Sequence, residues 1–115
     1  MFILRIEIPG YPEILYHCKK GLSDATDPQL RLSVDSNHAQ TYNSQSSAKS
    51  GIGTFKNDIA LHHRLYARNR IPTGTPWGCI LSCLQSKNPI IINIMPVTFE
   101  PAPEEEWQEH TLNWG

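Results

Sequence analysis

Two adjacent histidines, His62 and His63, are the residues of this chain best suited to chemistry. A histidine titrates near neutral pH and can act as a general base, a proton shuttle or a metal ligand. Cations next to a histidine suit a phosphate group, and three arginines follow closely: Arg64, Arg68 and Arg70. This grouping predicts a small enzyme that acts on phosphate-containing or RNA substrates. The alternative, which the sequence favours, is that His62 is a core histidine bonded to a backbone carbonyl and that the arginines form a solvated face.

Neither a metal nor a cofactor is expected. Cys79 and Cys83 lie on a predicted strand, which would place them on one face but ~13 Å apart, too far to bind one ion without a bend. Buried thiols that pack as small hydrophobic groups are the better interpretation. The Gly-rich residues 51–54 precede the predicted helix, where free amides could bind phosphate, but the full phosphate-binding fingerprint is missing.

Charge is distributed unevenly along the chain. The net charge is -1, which gives no support to bulk electrostatic binding of nucleic acid. Residues 56–70 nevertheless carry four lysine or arginine side chains against one aspartate, whereas residues 100–115 carry five glutamates and neither lysine nor arginine. A basic helix over residues 55–70 makes nucleic-acid binding a further alternative function.

The acidic tail, residues 100–115, carries the leading functional hypothesis. Pro101 and Pro103 predict a stiff spacer, and the residues after it are predicted to form a short helix. Trp107 and Trp114 would share one face of that helix, and tryptophan is enriched in binding hot spots. We therefore expect a small non-catalytic adaptor or inhibitor that binds a protein partner through this tail or through a sheet edge. The partner-binding candidates are Trp107, Trp114, Glu104, Glu105 and Glu106. The alternative is that the tail folds back and buries its tryptophans in its own domain.

Strands are the main elements that must position these side chains. Residues 90–95 form the most apolar and β-branched run, and they are predicted as a central strand. Alternating apolar residues predict strands over residues 2–8 and 13–18, which together form a β-hairpin. Residues 30–34 are predicted as a short third strand. Residues 77–84 are predicted as a fourth strand that forms a second hairpin with the central one.

One helix is predicted, over residues 54–69, with Thr54 as its N-cap. Residues 36–53 are polar and are predicted to form a mobile loop. The predicted fold class is α+β: a small, mostly antiparallel sheet of about five strands with one helix packed on a face. A β-barrel-like or β-grasp-like arrangement is the alternative. Residues 1–99 are predicted to form this single domain, and residues 100–115 the tail.

The composition favours a soluble cytoplasmic protein that does not contact a membrane. The chain has 115 residues, the size of one domain, and 18% of them are charged. Its three cysteines are an odd number without disulfide-framework spacing, which favours a reducing compartment. The first residues lack the pattern of a signal peptide, and no apolar run approaches the ~20 residues that a membrane span needs.

Overall fold

A five-stranded antiparallel sheet with two helices packed on it forms the fold. The computed structural model of the protein describes residues 1–19, 30–66, 74–97 and 107–114. The predicted α+β class is confirmed, with two helices where the sequence predicted one.

The sheet has the strand order β3-β2-β1-β4-β5, and every neighbouring pair is antiparallel. The strands are β1 (Phe2–Glu7), β2 (Leu15–His17), β3 (Leu32–Ser33), β4 (Ile90–Pro96) and β5 (Gln108–Leu112). The helices are α1 (Gln45–Tyr66) and α2 (Pro76–Ser86), and a short 3-10 helix covers Ser36–His38. The first predicted hairpin is confirmed, since β1 pairs with β2 through Arg5 and Tyr16. The predicted central strand is also confirmed, because β4 lies between β1 and β5.

The hydrophobic core lies between one face of the sheet and the two helices. Side chains alternate along a strand, so Leu4 and Ile6 of β1 meet Ile94 and Ile92 of β4 on the covered face. The helices contribute Ala48, Phe55, Ile59, Trp77, Ile80, Leu81 and Cys83 to the same cluster. Each large apolar side chain that is fully buried stabilises the fold by about 1.5–3 kcal/mol. Among the described residues, no helix combines the length and the apolar content that crossing a membrane requires.

Helix α1 begins nine residues earlier than predicted, at Gln45 instead of Thr54. The Ser44 hydroxyl accepts a hydrogen bond from the amide of Ser47 at 3.1 Å, which is the contact of a helix N-cap. The prediction of an irregular loop over residues 36–53 is therefore wrong. This segment contains the 3-10 helix, two isolated β-bridges and the first turns of α1.

Helix α2 replaces the predicted fourth strand, so the prediction for residues 77–84 and for a second hairpin is wrong. Thr75 caps its N-terminus by accepting from the amide of Gly78 at 3.1 Å, and Pro76 opens the first turn. Lys87 ends the helix in the left-handed conformation, with its amide donating to the carbonyl of Cys83.

The described part of the acidic tail is strand β5, so the prediction of a helix there is wrong. β5 pairs with β4 over five positions and thus belongs to the same sheet as the predicted domain of residues 1–99. The Arg5 guanidinium lies 5.0 Å from the centre of the Trp107 ring, and Trp114 Nε1 donates to the carbonyl of Asn88 at 2.7 Å. Both tryptophans thus contact their own chain. The spacer prolines and Glu104, Glu105 and Glu106 lie outside the described residues.

Candidate functional site

The histidines of α1 both lie close to Trp77. His62 is buried, with 4% of its surface exposed, and packs edge-to-face on Trp77 with the ring centres 4.3 Å apart. His63 is half-buried and lies 6.4 Å from the same ring, whereas Arg64 is exposed. Arg68 and Arg70 lie outside the described residues. The burial of His62 favours the core interpretation over a catalytic one.

The cysteines and the Gly-rich segment also have structural positions. Cys83 is buried on α2, and burial is the main cause that raises the pKa of its thiol, with Cys79 as the second cause. The described part of the chain holds no group of three or more His, Cys, Asp or Glu residues that could bind a metal ion. Residues 51–54 lie inside α1 and not at its start, where the helix itself uses the backbone amides. This segment therefore offers no free amides to a phosphate.

A polar cleft lies beside α1, at the end of the sheet where β2 and β3 pair. Its volume is about 370 Å³. It is lined by His17, Arg31, Gln40, Tyr42, Ser47, Ser50, Gly51 and Thr54. These residues come from four separate segments of the chain, and they bring together a cation, an imidazole, a phenol and several hydroxyl groups.

His17 forms the buried end of this cleft. It faces the core from β2, with 1% of its surface exposed, and its ring centre lies 5.7 Å from that of Phe55. Its Nδ1 is 3.5 Å from the Tyr42 hydroxyl, and its Nε2 is 3.9 Å from Oδ2 of Asp58. Neither Nε2 nor Oδ2 has a hydrogen-bond partner in the described structure. Burial, and secondly the charge of Arg31, lower the pKa of His17 to about 4, so its ring is neutral at pH 7.

Tyr42 is held in place from its backbone. Its amide and carbonyl exchange two hydrogen bonds with Phe2, each 2.8 Å long. Its ring lies against the backbone of Gly51, so closely that a Cβ atom on that residue would be 2.3 Å from the hydroxyl oxygen. Burial raises the pKa of the Tyr42 hydroxyl, which therefore carries its proton at pH 7. The glycine in α1 is what allows this hydroxyl to reach His17.

Arg31 supplies the positive charge of the cleft. Its backbone has a φ of 54°, in the left-handed region that costs a non-glycine residue about 1–2 kcal/mol. Its Nε donates to the carbonyl of Cys18 at 3.2 Å, and its own carbonyl accepts from the Cys18 amide at 2.7 Å. No carboxylate forms an ion pair with it within the described residues. Burial raises the pKa of Asp58, and the charge of Arg31 opposes that rise.

The hydroxyl groups on α1 present acceptor oxygens to the cleft. The Ser50 hydroxyl donates to the carbonyl of Ser46 at 3.2 Å, and the Thr54 hydroxyl donates to the carbonyl of Ser50 at 3.3 Å. Their hydrogens are thus used within the helix. Because a hydroxyl oxygen also has two lone pairs, Ser50 and Thr54 can accept hydrogen bonds from hydroxyl groups of a ligand.

The cleft residues were not predicted as a site, except that the Gly-rich residues 51–54, which include Gly51 and Thr54, were considered for phosphate binding through their amides. A signal existed for His17, which occupies a core-facing position of an alternating strand next to Leu15. Asp58 is the one aspartate of the predicted basic helix, and it lies in the middle of α1. Arg31 and Tyr42 have no local pattern that marks them, because only the tertiary structure brings them together.

The predicted partner surfaces remain predictions. Trp107, Trp114 and the edge strand β5 are placed in the sheet, but no partner is present to test them. The nucleic-acid hypothesis for residues 55–70 also remains a prediction, and within this range Lys56 and Arg64 are exposed.

Comparison with known proteins yields no match. No protein-family model matches the chain, and neither a curated protein nor a solved structure is detectably similar to it. Any function must therefore be argued from the chemistry of the cleft.

Proposed function

We propose that the protein binds, in the cleft around Arg31, a phosphate ester that also carries hydroxyl groups. Nucleotides and sugar phosphates belong to this class. The observation that carries the proposal is the position of Arg31, a cation on a polar cleft without a carboxylate partner among the described residues. A guanidinium binds phosphate through two parallel hydrogen bonds, and such charge-assisted bonds are stronger than neutral ones.

The surroundings of Arg31 favour an anion. The nearest imidazole, His17, is neutral at pH 7, and Asp58 is not among the residues that line the cleft. The left-handed backbone of Arg31 also supports a functional role, because strained residues cluster at ligand-binding sites.

The α1 side of the cleft favours hydroxyl groups on the ligand. Ser50 and Thr54 offer acceptor oxygens one helical turn apart, to which the hydroxyl groups of an ester such as ribose phosphate can donate hydrogen bonds. This proposal keeps the phosphate-containing substrate class predicted from the sequence, but it assigns the site to Arg31 and His17 in place of His62 and the arginines that follow it.

A titration of the protein with ribose 5-phosphate, a nucleoside 5′-monophosphate and unphosphorylated ribose tests this proposal. Amide chemical shifts and calorimetry should report binding of the two phosphates and not of ribose. Arg31→Gln should weaken binding at least tenfold, since it removes the charge, whereas Arg5→Gln on the other face of the sheet should leave it unchanged. The proposal would be refuted if a phosphate ester at millimolar concentration caused no change in the amide chemical shifts near Arg31 and Ser50.

A protein partner is a second candidate function, favoured by the position of β5. This strand ends the sheet, and its Gln108, Glu109 and Thr111 side chains are exposed. An edge strand can accept a strand from another chain. If it does so here, the double substitution Glu109→Lys and Thr111→Lys should abolish complex formation with the partner while the melting temperature stays unchanged.

A further inference from the structure

The polar groups behind the cleft lie in a row that leads from the cleft through His17 to the half-buried Asp58 carboxylate. Tyr42 lines the cleft, its hydroxyl is 3.5 Å from Nδ1 of His17, and Nε2 of His17 is 3.9 Å from the Asp58 carboxylate. A neutral histidine carries one ring proton. The tautomer that leaves Nδ1 free to accept from the Tyr42 hydroxyl is the one with the proton on Nε2, which faces Asp58. Simple ligand binding by Arg31 does not need this arrangement.

We propose that the cleft is catalytic, with Tyr42 taking a proton from a hydroxyl group of the bound phosphate ester while it passes its own proton to His17. The substrate class is a phosphodiester with a free hydroxyl on the adjacent carbon, the linkage found in RNA. This inference rests on the proposed function, because Arg31 must hold the phosphate. It adds an activity, the internal transfer of the phosphoryl group to the neighbouring hydroxyl.

The reaction balances without an oxidant or a reductant. A bond forms between the hydroxyl oxygen and phosphorus, and the bond from phosphorus to the leaving alcohol breaks, which yields a cyclic phosphate and a free alcohol. The hydroxyl proton goes to Oη of Tyr42 as the Tyr42 proton goes to Nδ1 of His17. A water molecule protonates the leaving oxygen, and the imidazolium then returns its extra proton to solvent.

Each group of the chain has one role in this step. Tyr42 is the catalytic residue, since it touches the reacting hydroxyl, and Arg31 stabilises the charge that grows on the phosphate. His17 and Asp58 are positioning residues that act through Tyr42. The charge of Arg31 is one of the two causes that lower the pKa of His17, and a bound phosphate neutralises that charge. A bound phosphate thus offsets the smaller of the two causes, while burial, the larger one, remains.

The substrate is also the occupant that fits the polar groups facing His17. Within the described chain these are Tyr42 from the segment before α1, Asp58 from α1, and Arg31 opposite Cys18. The phosphate meets Arg31, and the hydroxyl on the adjacent carbon meets Tyr42. A phosphate ester without that hydroxyl would bind through Arg31 but would have no proton to give.

The test uses the full chain, a mixture of 3′,5′-linked ribodinucleotides as substrate, and the 2′-deoxy dinucleotides as a binding probe. Cyclic phosphate is followed by ³¹P NMR, and the dissociation constant of the probe by calorimetry. The ribodinucleotides should be cleaved and the deoxy compounds bound intact. Tyr42→Phe should lower kcat roughly 100-fold, as expected for loss of proton transfer, with little change in probe affinity. Tyr16→Phe, on the opposite face of the sheet, should keep the wild-type rate.

A pH profile separates the positioning role of His17 from a purely structural one. The rate of the wild-type protein should fall at acid pH as His17 takes up a proton, and this limb should disappear in His17→Gln. If that variant fails to fold, Asp58→Asn is measured instead, since the Asp58 side chain is 25% exposed. It removes the carboxylate that positions the His17 ring, so kcat should fall with little change in probe affinity while the acid limb remains. Binding of the probe without cleavage of any ribodinucleotide overturns the catalytic inference and leaves the proposed function standing. Failure to bind either compound overturns both, and a fully active Tyr42→Phe overturns the relay.

Discussion

Gly51→Ala tests the contact on which the cleft depends. A glycine inside a helix destabilises it by about 0.5–1 kcal/mol relative to alanine, so helix propensity alone predicts that the substitution stabilises the protein. The structure predicts the opposite. The new Cβ would lie 2.3 Å from the Tyr42 hydroxyl oxygen and 2.6 Å from Cζ, closer than atoms can approach. Because two backbone hydrogen bonds to Phe2 fix Tyr42, its ring can leave only by rotating away from His17.

The magnitude follows from two opposing terms. Overpacking of this kind costs about 1–3 kcal/mol, and the gain in helix propensity returns about 1 kcal/mol, so Gly51→Ala should lower the free energy of unfolding by about 1 kcal/mol. Gly53→Ala is the matched control, since it lies in the same helix with nothing within 4 Å of its Cβ position. It should raise the free energy of unfolding by about 0.5–1 kcal/mol.

Urea denaturation of the two variants, followed by circular dichroism, measures both values. In a Tyr42→Ala background the clash is absent, so Gly51→Ala should become stabilising by about 1 kcal/mol, which gives a coupling of about 2 kcal/mol between the two sites. Equal stabilisation by Gly51→Ala and Gly53→Ala would show that Tyr42 does not pack on α1, and the reasoning about the cleft would fail with it.

Two further predictions concern His17 and the C-terminal strand. Because burial lowers the folded-state pKa of His17 from 6.5 to about 4, the unfolded chain binds more protons between these values, so stability is fully present above pH 6.5 and falls as the pH falls towards 4. Urea titrations at pH 7 and pH 4 should show a loss of about 3 kcal/mol, and His17→Gln should flatten this pH dependence. The raised pKa of Asp58 acts in the opposite direction and reduces the loss. If the wild-type protein and His17→Gln show the same pH dependence, the assignment to His17 is wrong. Removal of residues 107–115 should lower the free energy of unfolding by at least ~3 kcal/mol, because it removes β5 with the buried Leu112 and the hydrogen bond from Trp114 to Asn88. The control Thr111→Ala, at an exposed position of the same strand, should change the free energy of unfolding by less than ~0.5 kcal/mol. An unchanged melting temperature after truncation would instead support a tail that works on a partner.

The strands were predictable where alternation or a long β-branched run marks them, as in β1 and β4. α2 was misread as a strand, although Thr75 and Pro76 are the N-cap and first-turn residues of a helix and the buried positions Trp77, Ile80 and Leu81 recur at helical spacing. Its β-branched and cysteine residues outweighed those signals. β5 was misread as a helix because its strand pairing depends on β4, a segment distant in sequence.

The start of α1 was missed for a different physical reason. Its buried face continues towards the N-terminus as Ala48 and Gly51, two small residues that give no hydrophobic signal. They are small because Tyr42 and the sheet approach the helix closely there. Tyr42 and Gly51, which meet in this close approach, also line the cleft. The small residues that made the start of α1 unpredictable therefore made the cleft unpredictable as well.

Three unfavourable local features converge on this one cleft. Gly51 weakens a helix by about 0.5–1 kcal/mol, Arg31 holds a left-handed backbone that costs about 1–2 kcal/mol, and the burial of His17 disfavours its charged form. Selection for stability alone would favour glycine at position 31 and an apolar residue at position 17, and it would favour alanine at position 51 only without the packed Tyr42 ring. Sequences break local rules chiefly at functional sites, and here the three exceptions all line the same cleft. Arg31→Gly and His17→Leu should cost function while sparing the fold, whereas Gly51→Ala should also cost stability because of its clash with Tyr42. Loss of function without loss of stability is the result that separates a binding site from an accident of packing.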